Sequence, residues 1–128
     1  MEEAKVNFVT NVSNNSLPTV CTKEVVVFPK MNASIQIGRQ QSIKALEVAD
    51  KEYNGKVLVV CQRNFDDEVL TQDLVYKIGT VCQIESKRQD NNFIRVIVKG
   101  LYRAEIKDFK LNDGYYLSSC LKLDDIMG

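Results

Sequence analysis

The chain has 128 residues, 45% of them apolar and 27% charged, which suits one domain with its own core and argues against disorder over most of its length. Its 17 basic residues balance 17 acidic ones, so no net positive field draws a nucleic acid to it. No apolar run approaches the roughly 20 residues of a membrane helix, and Met1-Glu2-Glu3 lacks the basic, then apolar, opening of a secretory signal, so a cytoplasmic chain without a membrane partner is expected.

Residues 1–16 carry Asn7, Asn11, Asn14 and Asn15 with little sustained apolar pattern and read as a flexible N-terminal arm. Val25-Val26-Val27-Phe28 is a β-branched and aromatic run ended by Pro29, which has no N–H to give to a ladder. It predicts a strand covered on both faces. After Lys30-Met31-Asn32, Ala33, Ile35 and Ile37 alternate with Ser34 and Gln36, predicting a half-buried strand that stops at Gly38. From about Gln40 the period turns helical: Ile43, Leu46, Ala49 and Tyr53 form the apolar stripe, and Asn54-Gly55 supplies a left-handed stop.

The valine-rich run 56–62 is too short for a helix and predicts a central strand. Asp66, Asp67, Glu68 and Asp73 repel one another and predict a solvated loop, without the glycine-turned spacing of a calcium site. Gly79 marks a bulge or a close backbone approach. Segments 80–87 and 93–99, joined by the polar turn 88–92, predict a hairpin whose second arm Gly100 breaks. Tyr102, Ala104 and Ile106 then alternate in a further strand, Asn112-Asp113-Gly114 turns the chain, and period two resumes from Tyr115 to Leu123. About six or seven strands with one inserted helix give a mainly β, α+β chain, and a closed or nearly closed barrel avoids long unpaired edges.

The chain has no histidine, the usual general base near neutral pH, and neither Ser42 nor Ser118-Ser119 lies in a nucleophile elbow. No phosphate-binding loop is present either, so catalysis and a cofactor of the chain's own are not expected. Cys21, Cys61, Cys82 and Cys120 form no Cys-x-x-Cys pair; they read as small buried hydrophobes rather than metal ligands. A binding or assembly module remains. Phe28, Met31 and Ala33 flank the proline bend, where a barrel rim offers apolar side chains to another polypeptide. The competing reading has Phe28 filling the barrel and Met31 covering its end.

Leu17-Pro18, Val25-Val26-Val27-Phe28-Pro29, Met31, Gly38-Arg39, Ser42-Ile43 and Ala45-Leu46, in that order, resemble the opening of the N-terminal domain of the Lon protease family. Val59-Val60-Cys61-Gln62, Asp73-Leu74, Ile78-Gly79-Thr80-Val81 and Val98-Lys99-Gly100-Leu101-Tyr102-Arg103-Ala104 are similar to later family segments, so the resemblance covers residues 17–123. It departs at Cys21-Thr22, where Pro-Leu is usual, and at Ser34, where proline is common. The resemblance implies a PUA-like pseudo-β-barrel with an inserted helix, with residues 124–128 as the start of a truncated linker. It further implies a non-catalytic substrate-recognition and assembly domain of an ATP-dependent serine protease. Its partners would be unfolded or misfolded proteins and the other subunits of a homohexamer, and ATP and magnesium would belong to the parent protein. The alternatives are a free-standing Lon-like adaptor and a PUA-like RNA-binding module. Gly79, Gly100 and Arg103 match the family motifs and are expected to be structural positions.

Overall fold

The computed structural model describes residues 15–23, 25–64 and 70–123. Their elements run in the order β1 (Asn15–Thr22), β2 (Asn32–Ile37), α1 (Gln40–Glu52), β3 (Lys56–Cys61), a short 3-10 turn (Gln72–Leu74), β4 (Ile78–Gln89), β5 (Ile94–Asn112) and β6 (Tyr115–Lys122). The first half of the 19-residue β5 pairs with β2 and β4, and its second half pairs with β6. The order β5-β4-β3-β1-β6 therefore closes on itself, with β2 added outside β5. The ring is irregular: β1 and β3 run parallel, and register shifts interrupt both the β4–β5 and β5–β6 ladders. The expected pseudo-barrel with one inserted helix is present.

β3 explains why segment 56–62 is almost unbroken in apolar residues. Val57 and Val59 face one core cluster with Ala45, Leu46 and Ala49 of α1, while Leu58 and Val60 face a second with Val81, Phe109 and Tyr116. A strand buried on both sides has no polar face to alternate with. Each such valine or leucine contributes roughly 1.5–3 kcal/mol through burial. Polar atoms inside the second cluster are matched. The Tyr116 hydroxyl accepts from the Leu70 N–H at 3.0 Å, and its ring stacks on Phe109 with centroids 5.0 Å apart. The Thr19 hydroxyl donates to the Ser118 hydroxyl oxygen at 2.7 Å, joining β1 to β6.

Three expectations change. First, residues 25–28 form no ladder, because both edges of β4 beside them are already taken by β3 and β5. Second, Asn15–Thr22 is a strand, with Asn15 and Ser16 paired to Cys120 and Ser119. Residues 1–14 of the expected arm, the carboxylates Asp66, Asp67 and Glu68, and residues 124–128 lie outside the described residues. Third, Gly100 does not break its strand. β5 continues through a bulge at Leu101, since Val81 faces Tyr102 while Cys82 faces Gly100. Gly79 is a close approach without a bulge: a Cβ there would stand 2.7 Å from the Val59 carbonyl oxygen.

The turns follow the expected chemistry. α1 stops at left-handed Asn54 and Gly55, where the Gly55 N–H returns to the Ala49 carbonyl at 2.8 Å. Asp113 and Gly114, with φ of 56° and 88°, form the two-residue loop between β5 and β6. Phe28-Pro29-Lys30-Met31 is a tight turn in which the Met31 N–H donates to the Phe28 carbonyl at 3.0 Å and Lys30 adopts φ 71°. Gly100 seats that turn. Its carbonyl accepts from the Lys30 N–H at 2.8 Å, and its N–H donates to the Met31 carbonyl at 2.9 Å.

A Cβ at position 100 would stand 2.3 Å from the Phe28 carbonyl oxygen, so no side chain fits without moving the turn. Gly100→Ala should lower stability by about 2–4 kcal/mol. Urea unfolding measures this, and a change under about 0.5 kcal/mol would show that the turn yields freely.

Burial pushes the Cys21 thiol up to about 12, with Arg39 pulling the other way, and raises Cys82 to about 12 and Cys120 to about 11, against an ordinary 9.0. Above about pH 9 the unfolded chain loses these thiol protons while the folded chain keeps them, so stability falls as pH rises from there. The urea midpoint should drop between about pH 8 and about pH 10.5, and less steeply in Cys82→Ala. An equal slope in that variant would remove Cys82 from the account.

Candidate functional site

An extended chain alternates its side chains, and residues 25–28 show it. Val25 and Val27 turn inward, the latter only 3% exposed, whereas Val26 and Phe28 are 52% and 55% exposed. Without a ladder, the segment is held by side chains and by the turn after it. The Thr22 hydroxyl donates to the Val25 carbonyl at 2.6 Å, and the buried Thr80 hydroxyl donates to the Val27 carbonyl at 2.6 Å. The Gly100 clamp fixes the far end.

Val26 and Phe28 border a narrow groove whose other wall is Ile78 and Arg103. Beyond Val26 the surface opens into a shallow basin of about 410 Å³ among Val26, Arg63, Tyr76, Lys77, Ile78 and Arg103. Tyr76 is 47% and Ile78 41% exposed, so groove and basin form one apolar surface edged by cations. The β3 end and the approach to β4 position the basin. Gln62 and Val75 form an isolated bridge, the Tyr76 N–H donates to the Cys61 carbonyl at 3.1 Å, and the Arg63 N–H donates to the Leu74 carbonyl at 2.7 Å. The Arg63 guanidinium lies over the Tyr76 ring, 5.0 Å from its centroid. Soluble proteins leave few contiguous apolar patches open unless these meet a partner.

Of the residues expected at the site, Phe28 stands on this surface and does not fill the ring. Met31, 36% exposed, ends the same turn, and Ala33 is half-buried against the core cluster that holds Ile35 and Ile37. Val26, Tyr76 and Ile78 are additions. Alternation within residues 25–28 marks Val26, while Tyr76 and Ile78 carry no signal apart from the ring geometry. Arg103 lines both groove and basin and, like Lys77, makes no side-chain hydrogen bond or ion pair with another described residue.

A second cleft, about 580 Å³, lies where α1 begins, among Thr22, Lys23, Gln36, Arg39 and Ser42. Arg39 donates through Nη2 to Gln62 Oε1 at 3.1 Å, and Gln62 Nε2 donates to the Asn64 carbonyl at 2.7 Å. This network ties the helix start to the end of β3. Among the described residues no group of three or more metal-ligating side chains converges, and no helix is long and apolar enough to cross a membrane.

The sequence model described as the ATP-dependent protease La (LON) substrate-binding domain matches residues 16–125. A Lon protease of Endomicrobium trichonymphae is 34% identical over 110 residues, covering 85% of this chain and 14% of that protein. One from Acinetobacter baumannii is 35% identical over 102 residues, covering 77% and 12%. The chain thus spans about one-seventh of the first of these and less of the second. The fold is shared with the N-terminal domain of a Mycobacterium avium complex Lon protease, at TM-score 0.69 and 18% identity, over 87% of this chain and 56% of that one. It is shared too with a Lon N-terminal domain protein from Xanthomonas campestris, at TM-score 0.65 and 12% identity, over 86% and 60%. The match over residues 16–125, spanning all of the strand ring but its first residue, means that the chain belongs to the Lon substrate-binding domain family.

Proposed function

We propose that this chain is a non-catalytic recognition module that holds unfolded or apolar-rich polypeptide segments for an ATP-dependent Lon serine protease. The observation that carries this reading is the continuous exposure of Val26, Phe28, Tyr76 and Ile78 along one groove and basin. Met31, exposed at the end of the same turn, and Ala33, packed on the core cluster, lie outside the groove and basin linings. The parent enzyme would be a cytoplasmic homohexamer to whose assembly this domain contributes. ATP and magnesium would be bound elsewhere in that protein.

A folded partner would need matching shape. An unfolded chain needs only an apolar side chain and a free backbone, which a shallow open basin accepts. Phe28→Ser combined with Val26→Ser should weaken binding of a permanently unfolded polypeptide about tenfold. Fluorescence anisotropy reads this, with Leu111→Ser as control: that side chain is 53% exposed near the β5–β6 turn, away from the groove. Equal losses in both variants, or none in either, would refute the assignment.

A further inference from the structure

Resting on that reading of the surface, we infer that the segments it prefers carry carboxylates beside their apolar side chains. Arg63, Lys77 and Arg103 converge on the basin, and no acidic side chain is among its described lining residues. Across the whole chain 17 basic residues balance 17 acidic ones, so among the described lining residues this cluster is a local excess that the net charge conceals.

Among the described residues, the carboxylates that follow Arg103 and Arg63 in the chain are already engaged. Glu105, two residues beyond Arg103, pairs with Lys107 at 3.3 Å. Asp73, beyond Arg63, accepts the Thr71 hydroxyl at 2.5 Å, and that bond, more than Arg63, holds its carboxyl below the ordinary value. Neither closes the basin, and neither reaches Arg103 or Lys77 within ion-pairing distance.

The cations are also placed for a bound chain. Thr80 and Arg103 are register partners, as are Ile78 and Glu105, so Arg103 and Ile78 rise from one face of the β4–β5 ladder together with Glu105, the carboxylate that Lys107 engages. An apolar side chain lodged between Val26 and Ile78 therefore lies beside the Arg103 guanidinium. In an extended segment, successive side chains on one face are about 6.6 Å apart. A carboxylate one or two positions from the lodged side chain thus falls in the range of Arg103 or Lys77. Arg63, held over the Tyr76 ring, takes a more distant one, because stacking leaves its edge N–H groups free to donate.

The test uses the full 128-residue chain and two labelled unstructured peptides of identical apolar sequence, one with aspartate and glutamate, the other with asparagine and glutamine in their places. Anisotropy should give about tenfold tighter binding of the acidic peptide at low salt, with the preference shrinking as salt screens the exposed pairs. Arg103→Gln and, separately, Lys77→Gln should each weaken the acidic peptide about threefold and leave the amide peptide unchanged. Arg103→Glu should favour a lysine-bearing peptide instead. Equal affinity for the two peptides would overturn the acidic preference while leaving the proposed function standing, and no binding of either would overturn both. An acidic preference that survives both glutamine variants would remove it from this basin. Sedimentation of the same samples separates a further occupant: a dimer abolished by Arg103→Glu would assign the surface to a second copy and overturn the proposal.

Discussion

The turn at Phe28-Pro29-Lys30-Met31 sits on the backbone of Gly100 through two hydrogen bonds, and the exposed apolar surface beside it depends on that seat. A closed ring of strands offers no free edge to the residues beside β4, so the segment before the turn cannot be held by a ladder. The seat and the Thr22 and Thr80 hydroxyls replace it. Lys30 sits at φ 71°, unfavourable for a residue with a side chain by about 1–2 kcal/mol, and the two bonds to Gly100 offset that cost. With the backbone of residues 25–28 pinned and extended, alternation alone decides that Val27 goes in and that Val26 and Phe28 go out.

The clamp rests on a two-sided core. β3 sends Val57 and Val59 into one cluster and Leu58 and Val60 into the other, so it ties both halves of the interior together. The close passage of Gly79 beside the Val59 carbonyl brings the start of β4 against that strand. Ile78, one residue earlier, is left exposed next to Val26. The same geometry that packs the ring thus aligns two apolar side chains from distant parts of the sequence on its outside.

Much of this could be read from the residues. The period-two run of β2, the helical stripe ending at Asn54-Gly55, the two-sided β3 and the Asp113-Gly114 turn all follow from local pattern, because each is decided by neighbours within a few residues. The failures have a common cause. In β1, Pro18 and the hydroxyls of Thr19 and Thr22 break the apolar pattern, yet Pro18 is buried, Thr19 finds its acceptor on Ser118 across the ring, and Thr22 finds one on the Val25 carbonyl. Residues 25–28 have strand composition but no edge to pair with. Gly100 has the look of a strand break, and its real task, admitting the backbone of Phe28, involves residues some 70 positions away. Of the surface itself, Phe28 and Met31 were marked by the proline bend. Tyr76, Ile78 and the cationic rim were not, since their proximity to Val26 is set by ring closure.

Holding an apolar surface open has a physical requirement that this arrangement meets. Side chains such as Val26 and Phe28 would lower the free energy of the chain by turning inward, and in a flexible loop they would do so. Here the backbone hydrogen bonds of the turn and the inward commitment of Val25 and Val27 leave them no route to the core. Their exposure is enforced by main-chain and threonine contacts, not by the exposed side chains themselves. Scaffold and exposed surface are for that reason carried by different atoms: Gly100, Thr22 and Thr80 hold the backbone, and the outward side chains of Val26 and Phe28 take no part in those bonds. For the recognition module proposed above, that separation would let the contact surface change without disturbing the ring that presents it.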